Sequence, residues 1–224
     1  MTTDGWASQL ISVAASEIKR HRGRRGLSAQ QVADACSEYG VSMKRSVIAN
    51  LESGRRPTLS VIELVVLAKI LRVAPIQLLL PIGHAEEVEI LPGQVMSTWD
   101  AAKWFAGDQP LPHVDAEGNR LPIDPEDLAA WNSGAPPVPY FRRLDQLITA
   151  REVALSDAAA AHRSARAALS EEQRDIMKIR AESEERRVRE IEREIQRGRK
   201  HLRQQGLVPP KLPPELAHLD EGER

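Results

Sequence analysis

Between Pro139 and Pro209 the chain contains no proline, and Gly198 is the one glycine it meets before Gly206. So long a run without helix breakers, rich in Ala, Glu, Arg and Leu, has the composition of a long helix and commits this part of the chain to α structure. Its apolar positions Phe141, Leu144, Ile148 and Leu155 keep a heptad register, weaken to Ala158, His162 and Ala165, return at Leu169, Ile176 and Ile179, and resume shifted at Val188, Ile191, Ile195 and Leu202. A lone straight helix would leave that seam in water, so another helix has to cover it. The shift at 183–188 reads as a stutter in a coiled coil over 140–205, covered by a second copy of the chain. The symmetry of DNA operators favours that second copy; the alternative is that Ser170, followed by Gln173, starts a new helix, and 140–205 is then a hairpin broken near Leu169 that covers its own seam.

The remainder is consistent with a mostly α chain, since 4% of residues are aromatic and 28% are charged. The net charge of −1 conceals segregation: 1–82 carries 11 Lys+Arg against 6 Asp+Glu, or +5, whereas 83–139 carries 2 against 10, or −8. A basic module beside an acidic one points to a local nucleic-acid surface rather than a polycationic protein. Cys36, the single cysteine, can make neither an intramolecular disulfide nor a Cys-rich zinc site, which places the expected location in the cytoplasm. The apolar stretch 61–82 is broken by Glu63, Lys69, Arg72 and Pro75, and no membrane span is expected.

Five short helices fit within 1–82. The first carries Leu10, Val13, Ala14 and Ile18 at helical spacing and ends in the basic cluster Lys19, Arg20, Arg22, Arg24 and Arg25. Ser28 with Gln31 forms a capping box that opens the second, which Gly40 ends. Ser42 is the candidate cap of the third, whose inward face is Val47, Ile48 and Leu51 and which Gly54 stops. Ser60 with Glu63 opens the fourth, and Pro75 starts a fifth that ends near Leu80. The segment 83–139 reads as an acidic, Pro/Gly-rich intermediate region, with a possible short strand over 86–91, a small helix capped by Ser97 or Thr98, and a helical turn over 125–131. On that helix Trp99, Trp104 and Phe105 are expected to pack against the N-terminal domain. The tail 206–224 is Pro-rich, ends in charged residues, and is expected to be disordered.

Two helices joined by a turn, with the small Ala33 facing inward and an amphipathic helix following, form the pattern of a helix-turn-helix. The residues 25–33 (RGLSAQQVA), 45–56 (RSVIANLESGRR) and 67–73 (LAKILRV) resemble the Cro/phage-repressor-type (XRE) family of regulators, in the variant common in actinobacteria. The resemblance covers roughly 8–82 and implies a lambda-repressor-like five-helix domain that binds double-stranded DNA. It places Arg45, Ser46 and Asn50 at base edges, where Arg suits guanine and Asn suits adenine. It places Gln30, Lys44, Arg55 and Arg56 at phosphates, where contacts set register without reading sequence. It also implies an ion pair between Arg22 and Glu52. The family's usual Gln after the capping Ser is Ala29 here, and the stretch from Ala33 to Gly40 exceeds the family's shorter turn.

No Gly-rich phosphate loop or nucleophile signature is present, the six histidines show no metal-ligand spacing, and neither an enzyme nor a cofactor is expected. The expected function is a sequence-specific transcriptional regulator, a repressor acting as a dimer on a near-palindromic operator and joined through the C-terminal helix. The alternative is an adaptor, antitoxin-like or carried by a phage or mobile element, whose coil grips another protein.

Overall fold

The computed structural model describes residues 3–115, 120–134 and 137–220 and divides into two compact units, 1–131 and 132–224. In the first, α1 (Thr3–Arg24), α2 (Ala29–Glu38), α3 (Arg45–Glu52), α4 (Val61–Leu71) and α5 (Ile76–Leu79) enclose a core built on Ile18, Val32, Cys36, Ile48, Leu67 and Leu78. Both expected capping boxes form. Ser28 Oγ accepts from the Gln31 amide while Gln31 Oε1 accepts from the Ser28 amide, and Ser60 and Glu63 repeat the exchange at α4. Each box satisfies two amides that a helix start otherwise leaves without partners.

Ser42 does not cap α3. That helix begins at Arg45 behind an extended Lys44, with no side-chain cap bond. Met43, which is 2% exposed, has to reach the core beside Cys36, and burying it draws the chain through an extended turn before α3 can start.

The intermediate region is more than a linker. β1 (Glu87–Leu91) pairs antiparallel with β2 (Gln94–Ser97) around Gly93, whose φ of 74° is left-handed, and α6 (Thr98–Phe105) starts behind Ser97 as cap. Val88, Ile90, Met96, Ala101 and Ala102 bury themselves with Leu80 of the N-terminal helices in a second small core. The expected strand and helix are therefore present, but they form part of the first unit. The N-terminal half of α1 belongs to this layer, with Trp6 Nε1 donating to the Glu89 carbonyl at 3.2 Å. Trp104 is partly buried there, whereas Trp99 and Phe105 point to solvent at 62% and 55% exposure, contrary to the expected packing of all three aromatics. Strands β3 (His113–Val114) and β4 (Arg120–Leu121) form a two-residue ladder, and α7 (Pro125–Gly134) buries no residue.

In the second unit the long helical segment is two helices, α8 (Val138–Ala167) and α9 (Glu171–Gln204), folded against each other. Ser170 Oγ accepts from the Gln173 amide at the start of α9. Part of the seam expected to face a second protomer is covered by the chain itself: Leu144 and Leu147 meet Ile191, Ile195 and Leu202 in one core, while Leu155, Leu169, Ile176 and Ile179 stay exposed. The weak middle of the heptad pattern has a physical explanation. Ala154, Ala158, Ala161 and Ala165 on α8, with Ala181 on α9, are all buried, so small side chains let the two backbones approach closely. Arg151 donates to Glu192 at 2.7 Å and Arg143 to Glu194 at 3.0 Å, fixing the antiparallel register.

The expected disordered tail is also corrected for 207–220. Leu212, Leu216 and Leu219 bury against the hairpin around a 3-10 turn, Pro214–Leu219. Arg199, 3% exposed, donates to both carboxylate oxygens of Asp220 at 2.9 Å and also bonds the Pro210 carbonyl. The last four residues of the expected tail lie outside the described residues. Among the described residues no helix is long and apolar enough to cross a membrane.

Candidate nucleic-acid interface

Helix α3 is amphipathic at a period that settles its orientation. Ile48 and Leu51 are completely buried, with Val47 half-buried beside them, so the opposite face has to look outward. That face carries Arg45, Ser46, Ala49 and Asn50, all exposed, with Ser46 and Asn50 one turn apart on the same stripe. Ala33, 4% exposed on α2, gives α3 room to pack close, and the turn between the helices runs 39–44, with Gly40 at a φ of 73°. At the other end of α3 the Asn50 carbonyl accepts from the amides of Arg55 and Arg56, closing the helix over Gly54. The Asn50 carbonyl is thus used by the fold while its side chain stays exposed.

Gln30, Lys44, Arg45 and Ser46 line one polar groove of ≈ 520 Å³ between α2 and α3. Gln30 Nε2 donates to Asp34 Oδ1 at 2.7 Å, which fixes the amide at the groove wall and adds a carboxylate to it. Four of the seven residues expected at DNA are therefore neighbours. Asn50 extends the same face, and Arg55 is exposed on the loop that follows α3.

Arg56 is placed differently. Its Nη2 lies 2.8 Å from Glu63 Oε1, and its Nη1 is buried without a hydrogen-bond partner. Burial works against the charged Glu63, yet hydrogen bonds from Ser60 and Arg56 hold its carboxyl below the usual value. The guanidinium expected at a phosphate thus joins the end of α3 to the start of α4. The sequence held a signal for this, since Arg56 stands seven residues before the Glu of a capping box, but nothing in the pattern showed the loop turning back.

The ion pair between α1 and α3 is bidentate. Arg22 Nε donates to Glu52 Oε1 at 2.6 Å and Nη2 to Oε2 at 2.8 Å, while Nη1 reaches the Leu27 carbonyl at 2.6 Å. Hydrogen bonding to Glu52 raises the Arg22 pKa above its ordinary value. All three sides of the guanidinium are used, which ties α1, the loop after it and α3 to one another.

Residues 14–79 match the family model described as a helix-turn-helix domain. No curated protein and no solved structure matches the chain. The N-terminal part of this chain folds as a helix-turn-helix domain, and the family supports DNA binding by a regulator as its role.

Proposed function

We propose that the chain is a sequence-specific, non-enzymatic transcriptional regulator of the Cro/phage-repressor (XRE) type, acting in the cytoplasm and repressing by occupying its operator. The observation that carries this reading is the exposed face of α3, where Arg45, Ser46 and Asn50 offer donors and acceptors from a helix held rigidly by its buried side. Arg45 and Asn50 suit guanine and adenine edges in the major groove, with Ser46 able to take either partner. Lys44 and Arg55 serve phosphates beside them, and Gln30 adds a neutral donor. In an electrophoretic shift assay with the chain's own upstream region, the retained complex should resist competing nonspecific DNA and weaken steeply with salt. Equal competition by unrelated DNA at every salt concentration would remove the reading.

The regulator acts as a dimer in this proposal, since two recognition helices about 34 Å apart on a near-palindromic site add their contacts. With the central seam of the hairpin covered internally, the support for pairing moves to its turn. Leu169 is 99% exposed, and Ile176 and Ile179 on the first turns of α9 are more than half exposed. Light scattering should give a dimer at micromolar concentration, and Leu169→Glu with Ile179→Glu should give a folded monomer. The same exposed turn favours the second reading, an adaptor gripping another protein, and a monomeric parent chain without operator selectivity would decide for it.

A further inference from the structure

A cavity of ≈ 400 Å³ lies within the first unit between α1 and the β1–β2 hairpin, away from the exposed face of α3. Leu10 and Val13 of α1 line one side and Val95 of β2 the other, while Val88, on the opposite face of the strand pair, turns into the small core with Ile90 and Met96. Glu17 lines it too, although the residue is only 5% exposed, and Glu87 and Glu89 project beside Val95 from one face of the hairpin. No lysine or arginine lines the cavity among the described residues.

The charges decide what such a space can take. Arg20 and His21 both meet the same oxygen of the buried carboxylate, Glu17 Oε2, the histidine at 3.8 Å. Burial and the neighbouring Arg20 lower the His21 pKa, so the imidazole is neutral at pH 7 and does not offset a carboxylate. Arg20 therefore balances one of three negative charges. A buried anion at the edge of an apolar chamber, with further anions at the mouth, attracts positive charge and excludes negative charge, because apolar walls weaken dielectric screening. The apolar walls in turn favour a group that brings hydrocarbon with its charge, and the volume falls in the range of small-molecule sites.

We propose that this cavity is a binding site for a small organic cation carrying an apolar group, an amine or quaternary ammonium of roughly the size of a substituted benzene. The apolar part lies between Val13 and Val95, and the cationic head faces Glu17 with Glu87 and Glu89 around it. This site is separate from DNA recognition, and its occupancy is measured on the full chain with no DNA present.

Isothermal titration calorimetry with benzyltrimethylammonium, benzyl alcohol and phenylacetate provides the test. The cation should bind roughly tenfold or more tightly than the neutral alcohol, and the anion more weakly still, as charge selection requires. Glu87→Lys, a change at an exposed rim position, should weaken the cation by roughly three- to tenfold and leave circular dichroism unchanged. Val13→Trp should fill the chamber and remove binding. The proposal is overturned if the three probes bind alike, if the cation does not bind at millimolar concentration, or if Val13→Trp binds it as well as the parent chain does.

Discussion

Glu52→Ala should lower the stability of the first unit by about 3 kcal/mol, the scale expected when one member of a largely buried ion pair is removed. The Glu52 side chain is 8% exposed and that of Arg22 is 20% exposed, so water can only partly replace the lost carboxylate. The stranded guanidinium would keep the Leu27 carbonyl as its hydrogen-bond acceptor. Exchanging both residues for apolar ones, Arg22→Met with Glu52→Leu, should cost less than Glu52→Ala alone, because no charge is then left behind. The measurement can be confined to the relevant unit. All four tryptophans, Trp6, Trp99, Trp104 and Trp131, lie within 1–131, so urea unfolding followed by tryptophan fluorescence reads that unit and not the hairpin. A change below about 0.5 kcal/mol, the level of an exposed surface pair, would mean that water restores what the carboxylate supplied.

Arg45→Ala should reduce the ratio of operator to nonspecific affinity by roughly ten- to a hundredfold, equivalent to about 1 to 3 kcal/mol for one good base contact. The residue is exposed on the first turn of α3 and makes no contact that the core depends on, so the variant should fold as the parent does. Arg55→Ala is the control of opposite character. It should weaken binding to every sequence alike and lower the slope of log affinity against log salt by about 1. Arg56→Ala separates the structural account from the resemblance. Because its guanidinium is engaged by Glu63, the salt slope should stay near that of the parent chain while the tryptophan-detected unfolding midpoint falls. Binding titrations on operator and scrambled DNA at several salt concentrations distinguish the three variants. An Arg45→Ala chain that keeps its full selectivity would move base reading to other residues of the face.

Local chemistry made much of this fold legible. Ser28 with Gln31 and Ser60 with Glu63 locate two helix starts, and both boxes form, because a capping box depends on atoms only three residues apart. The start of α3 escaped the same reasoning. Ser42 has the right chemistry, but the burial of Met43 is decided by the tertiary core, which a local pattern does not contain. β2 is four residues long and alternates for too short a distance to stand out, although Gly93 marks the turn before it. The alanines of α8 were legible as a weakening of the heptad seam. Their meaning, close helix approach, required knowing that the partner was α9 of the same chain. In the tail, Leu212, Leu216 and Leu219 carry helical spacing within a proline-rich stretch, and their anchor is an Arg199–Asp220 contact spanning 21 residues. On the candidate face, the inward side of α3 follows from amphipathicity and the placement of Arg45, Ser46 and Asn50 from the family resemblance, whereas the inward turn of Arg56 depends on the path of the loop.

Cys36 gives the helix-turn-helix a built-in clock. It is the single cysteine of the chain, fully buried on α2, with its thiol donating to the Met43 sulfur at 3.9 Å, and burial pushes the thiol pKa up. A maleimide in solution can reach that sulfur only when α2 and the turn before α3 part from the core. With reclosing fast relative to alkylation, the labelling rate is the product of the opening equilibrium and the intrinsic thiol reactivity. One chemical event per molecule thus counts openings of the segment that sets α3, with no engineered probe. DNA that grips α3 in its closed position would slow the clock in proportion to how fully the site is occupied.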